Sequence, residues 1–136
     1  MEIKINIQDT GDQDFGVKVL SDEKGELGIT VRVNRKKGRL EVGQEHAPFE
    51  LKAGEPVELR VFVDGTLVEV FANERQVVMS CIQRKEEDPI NDKIFLFSKD
   101  QDMKVQKVKT WNMKSTYNKT RNQATKVNKS LVRINI

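Results

Sequence analysis

Cysteine is nearly absent from this 136-residue chain, with Cys81 the single example. No intramolecular disulfide and no thiolate cluster for zinc can form, and no metal site is expected. Cys81 follows Val77, Val78 and Met79 and precedes Ile82, so it is read as a small buried hydrophobe. Histidine is also single. His46 stands beside Ala47-Pro48-Phe49 without the partners that a catalytic or metal role needs, and is read as a loop residue. Aromatics make up 6% of the chain, six of the eight being Phe, which argues against an aromatic-lined sugar groove. Apolar runs are short, far below the ~20 residues of a membrane helix, so no membrane partner is expected. Met-Glu-Ile-Lys-Ile-Asn-Ile lacks a basic segment followed by an apolar one, and no signal peptide is expected there. Neither a phosphate loop nor a nucleophile elbow occurs, and no cofactor is expected.

Charge is plentiful, at 33% of residues, but uneven. Lys119, Arg121, Lys126, Lys129 and Arg133 give residues 117–136 five cations and no acid. Taking those five from the net charge of +3 leaves residues 1–116 at −2. The basic excess is a tail and not a face of the folded body, so no nucleic-acid partner is expected. The division predicted is a folded module over 1–116 and a basic polar tail over 117–136. The ending Leu131-Val132-Arg133-Ile134-Asn135-Ile136 alternates as an edge strand would, and edge strand and disorder both stay open for the tail.

What the chain has is period two. Ile3, Ile5 and Ile7 alternate with polar residues, as do Phe15, Val17 and Val19, then Leu27, Ile29, Val31 and Val33, then Leu40 and Val42, and then Val57, Leu59, Val61 and Val63. Such alternation buries one face of a strand and wets the other. Lys93–Ser98 reads as a short apolar strand. Val105, Val108 and Trp111 read as a last strand with a bulge, because their spacing is not strictly two. Turn residues fall between the runs at Asp22-Glu23-Lys24-Gly25, Arg35-Lys36-Lys37-Gly38, Ala53-Gly54-Glu55-Pro56, Asp64-Gly65 and Asp100-Gln101-Asp102. Gln83–Asp92 is a polar loop containing Pro89. A chain of this length supports one core, and short strands with turns at this interval predict an all-β, two-sheet antiparallel β-sandwich.

The densest signal is Val57–Ile82, three strand patterns split by Asp64-Gly65 and Asn73-Glu74. Asp-Gly between alternating apolar runs predicts a hairpin, its two residues taking positive φ. Glu69 is the one acid inside this apolar stretch. It is read as facing away from Val68 and Val70 toward a polar partner, in preference to a buried acid. Asp64 and Asn73 are read as turn formers before ligands, since their side chains bond the local backbone. Trp111 is read as core or interface packing before a sugar platform. No catalytic residue is expected. Glu69, Asn73 and Trp111 are the candidates for carbohydrate contact.

Leu59–Asn73, L-R-V-F-V-D-x-x-x-V-E-V-F-x-N, resembles the signature of the C-terminal β-sandwich of glycoside hydrolase family 32, the invertases, levanases, inulinases and related β-fructosidases. Leu27–Arg35, Ile94–Ser98 and Val108–Ser115 are similar to other segments of that module, in order. Asp64-Gly65-Thr66 departs from the Asp-Arg-Ser common at the family hairpin. The resemblance implies a lectin-like jelly roll that follows a five-bladed catalytic propeller. The propeller's W-x-N-D-P-N-G, R-D-P and E-C motifs do not occur here: Asp88-Pro89 follows Glu87, and Cys81 follows Ser80. Retaining hydrolysis needs two carboxyl groups roughly 5 Å apart across a pocket, which turn and outward-strand acids do not offer by pattern. The resemblance therefore implies a non-catalytic module whose partner is a propeller in cis, with an apolar face toward it and a tendency to form homo-oligomers. A free-standing carbohydrate-binding module, with a fructan or other oligosaccharide as partner, is the alternative. Contact with an acidic partner through the tail is a third reading.

Overall fold

The computed structural model describes residues 1–8, 13–83, 87, 91–98, 103–111, 123–127 and 132–134, the last three segments as backbone. The described residues form twelve strands and no helix. In chain order these are β1 Glu2–Ile7, β2 Phe15–Ser21, β3 Ile29–Asn34, β4 Arg39–Val42, β5 Glu45–Pro48, β6 Val57–Asp64, β7 Leu67–Ala72, β8 Gln76–Cys81, β9 Lys93–Ser98, β10 Met103–Trp111, β11 Gln123–Val127 and β12 Val132–Ile134. One six-stranded sheet runs β11-β10-β1-β6-β7-β8, and the other runs β12-β9-β2-β3-β4-β5. Every pairing is antiparallel. The fold is the two-sheet antiparallel β-sandwich that the alternation predicts.

The inward residues are the alternating ones. In the first sheet Ile3 pairs Val61 and Ile5 pairs Leu59, while Val61 pairs Val70 and Leu59 pairs Ala72. In the second, Val17 pairs both Val31 and Leu96. All of these are buried in one continuous core, joined by Phe15, Leu40, Val42 and Phe49. Each Val, Ile, Leu or Phe among them contributes about 1.5–3 kcal/mol by leaving water. Edge strands β5 and β8 approach each other across the sandwich. The Gln76 side-chain amide donates to the Pro48 carbonyl at 2.7 Å and links the two sheets there.

Three local readings change. The β6–β7 loop is Gly65-Thr66, because Asp64 still pairs with Leu67. Only Gly65, at φ 60°, is left-handed, which is the pattern of a type II′ turn. Asp64 ends a strand and does not occupy the turn. Leu27 does not continue the alternation of Ile29, Val31 and Val33: β3 begins at Ile29 and Leu27 is exposed. The preceding loop is tied instead by the Asp22 carboxylate, which accepts from the Glu26 and Leu27 amides at 2.7 and 3.1 Å. His46 lies in edge strand β5, exposed and opposite Glu41, and not in a loop. The bulge read near Val105 is present, since pairing with β1 and with β11 shifts register there. Tail segments 123–127 and 132–134 lie at one end of each sheet, beside β10 and β9. The Asp100–Asp102 turn, most of the Gln83–Asp92 loop and residues 112–122 lie outside the described residues.

Candidate functional site

The strands that bury Val57, Leu59, Val61 and Val63 turn the residues between them to the outer face of the first sheet. Register assembles these into rows. Phe62 lies opposite Glu69, and Glu69 opposite Met79. Arg60 lies opposite Phe71, and Phe71 opposite Val77. Asp64 lies opposite Leu67, and Leu67 opposite Cys81. Leu67, Val77 and Met79 are 39%, 42% and 48% exposed, three of the four exposed large hydrophobics among the described residues. The Phe62 and Phe71 rings meet edge to face at 5.6 Å, and the Arg60 guanidinium lies 5.4 Å from the Phe62 ring centre. Contiguous apolar surface of this kind marks a contact site more often than a stray side chain does. A cleft of about 700 Å³ continues it at the β8 edge, lined by Leu67, Met79 and Cys81 of the first sheet and by Ile29, Gly43 and Glu45 of the second.

Glu69 sits in the middle of this face. It points away from the core, as alternation requires. The polar partner expected for it is missing: among the described residues it makes no hydrogen bond or ion pair. Its cross-strand neighbours are Phe62 and Met79. Cys81 corrects the reading of a buried hydrophobe. It is exposed on the same face, because in β8 it is Val78 that turns inward. The run Val77-Val78-Met79 hides that choice in the sequence. Trp111 pairs in register with Glu2 at the end of β10; its side chain lies outside the described residues.

Asn73 is elsewhere, at the β7–β8 turn with φ 49°. Its side-chain oxygen accepts from the Glu58 amide at 2.7 Å, and its amide donates to Pro56 and Glu55 at 3.1 and 3.2 Å. Its polar atoms are spent on the fold. Beside it Arg75 donates to both Glu55 oxygens and to the Glu50 carbonyl and lies 5.0 Å from the Phe49 ring centre. Spacing did not reveal this clamp, because its members lie 20 and 25 residues apart.

The clamp sets an acid sensitivity. The Arg75 hydrogen bonds, followed by the Lys52 amide, pull the Glu55 carboxyl from 4.5 to about 2. For Asp22 the Leu27 amide lowers the value and outweighs desolvation. For Glu41 desolvation raises it, but Arg39 and Asn34 hydrogen bonds with the Arg39 and Arg32 charges bring it down. A carboxyl lowered in the folded state stabilises above its unfolded value and loses that contribution as pH falls through its folded value. For Glu55 the loss runs from pH 4.5 down to about 2. Arg75→Gln should therefore shrink the stability difference between pH 7 and about pH 3 measured by urea unfolding. An unchanged difference would show that Arg75 does not hold Glu55 in solution.

No group of His, Cys, Asp and Glu among the described residues could hold a metal ion. No helix among them is long and apolar enough to cross a membrane. What the structure presents is a β-sandwich whose most distinctive surface is one apolar sheet face. The family model described as Glycosyl hydrolases family 32 C terminal matches residues 1–112. The chain belongs to that family and is a C-terminal β-sandwich module. Neither curated proteins nor solved structures gave a match.

Proposed function

We propose that the chain is the non-catalytic C-terminal module of a glycoside hydrolase acting on β-fructosides such as sucrose or fructan. Hydrolysis belongs to a propeller domain joined ahead of β1, which the module seats against and shields. The observation that carries this reading is the family match over residues 1–112. The apolar outer face of the first sheet fits it, because a module that covers another domain needs such a face.

DNA read in frame upstream of Met1 is the first test. It is expected to encode N-D-P-N-G, R-D-P and E-C motifs, and the polypeptide so encoded should release fructose from sucrose, inulin or levan. The 136-residue chain alone should release none. Titrated with inulin or levan oligosaccharides at millimolar concentration, the chain alone should give no heat. A stop codon directly upstream, together with heat on titration, overturns the reading in favour of a free-standing carbohydrate-binding module.

A further inference from the structure

We infer that the outer face around Glu69 is where the module seats on the preceding glycosidase domain, and that this domain brings one Arg or Lys to Glu69 within an otherwise apolar surface. The inference rests on the proposed function and adds to it the face and the chemistry of its counterpart.

The apolar side chains come first. Phe62, Leu67, Phe71, Val77 and Met79 are drawn from β6, β7 and β8 and form one surface. Strict alternation would place polar residues at these positions if the face were meant for water.

The charges on the face then separate into compensated and uncompensated. Arg60 donates to Glu2 at 2.8 and 3.0 Å. Lys4 lies 3.5 Å from Glu58. Asp64 is at the exposed hairpin tip. Glu69 alone lies among apolar side chains with no partner among the described residues. A surface that covers it must supply a cation, because a carboxylate buried without one is strongly unfavourable. A guanidinium suits the position best, since it pairs a carboxylate through two hydrogen bonds and lies flat on aromatic rings such as Phe62 and Phe71.

The point of attachment selects the occupant. The Met1 nitrogen donates to the Val63 carbonyl, a bond that a backbone amide can make once a domain is joined there, and the Val63 amide donates back to the Met1 carbonyl, both at 2.8 Å. Glu2 pairs with Phe62 in register. A domain joined ahead of β1 is therefore tethered at the Phe62 end of this face. Such a tether gives an effective concentration in the millimolar range, which favours that domain over a second copy free in solution.

The test uses the full polypeptide with a protease site placed just ahead of Met1. After cleavage the two wild-type pieces should co-elute in gel filtration. Phe71→Asp should separate them, and Glu69→Lys should raise their dissociation constant at least about thirtyfold. Lys36→Glu, on a turn of the second sheet, should change nothing. Melting of the separated module, followed by circular dichroism, checks that each variant is folded. If the wild-type pieces separate at once, the seating role itself fails. If they co-elute and Phe71→Asp co-elutes with them, the seating role stands and the face is wrong. If Phe71→Asp separates them and Glu69→Lys binds as wild type does, the basic counterpart is wrong. If the released module sediments as a dimer that Phe71→Asp dissolves, a second copy is the occupant and the inference is overturned.

Discussion

Gly16→Ala should destabilise the module by at least about 3 kcal/mol, a fall of roughly 10 °C in melting temperature at this chain length. Gly16 lies within β2, paired with Arg32 of β3 on one side and Phe97 of β9 on the other. A Cβ there would come 1.8 Å from the Val31 carbonyl oxygen and 2.9 Å from Cζ of Phe97. The Phe97 ring could swing away, with loss of its contact with the Arg32 guanidinium 5.9 Å from the ring centre. The Val31 oxygen is backbone in a central strand and cannot move without disturbing the β2–β3 ladder. The space that glycine leaves is therefore occupied from both neighbouring strands. Thermal unfolding followed by far-UV circular dichroism measures the effect. A melting point within about 2 °C of the parent's would mean that β2 accommodates the methyl group and that the close approach is not needed.

Gly16 shows where sequence reading stops. Phe15, Val17 and Val19 announce β2 by alternation, and the structure places all three in the core. Nothing in that pattern says that Gly16 is required, because the oxygen and the ring that fill its space belong to residues 15 and 81 positions further along the chain. Glu69 behaves in the same way. Its side of the sheet follows from Val68 and Val70, but its neighbours depend on which strand pairs with which, and at what register. A polar partner was the natural expectation for a lone acid; pairing with Phe62 and Met79 put apolar groups there instead. In β8 even the side was illegible. Val77, Val78 and Met79 are all apolar, so alternation had nothing to count, and the outward pair proved to be Val77 and Met79. Leu27 fitted the count of its strand and still lay outside it, because Asp22 draws the chain into a loop through the Glu26 and Leu27 amides. Local pattern is legible; what another strand brings to it is not.

Leu59→Ala and Met79→Ala remove similar volumes of apolar side chain and should differ sharply in effect. Leu59 is 0% exposed, between Ile5 of β1 and Ala72 of β7. Truncation there loses the transfer term and leaves a cavity that central strands cannot close, about 2–5 kcal/mol in all. Met79 is 48% exposed on an edge strand, and its truncation should stay within about 0.5 kcal/mol. Guanidinium unfolding of the two variants measures both at once. A slip of one residue in β6 would turn Leu59 outward and Arg60 inward, so the sign of the comparison also tests the register. Docking should respond in the opposite order. Met79→Ala keeps the fold and removes part of the outer face opposite Glu69, so its loss of binding should persist under strongly folding conditions. Leu59→Ala leaves that face intact in every folded molecule, so any loss of binding should vanish once an added osmolyte restores the folded population. Equal loss for both variants that osmolyte leaves unchanged would mean that the outer face and the core are not separable, and that the surface around Glu69 is set by packing beneath it.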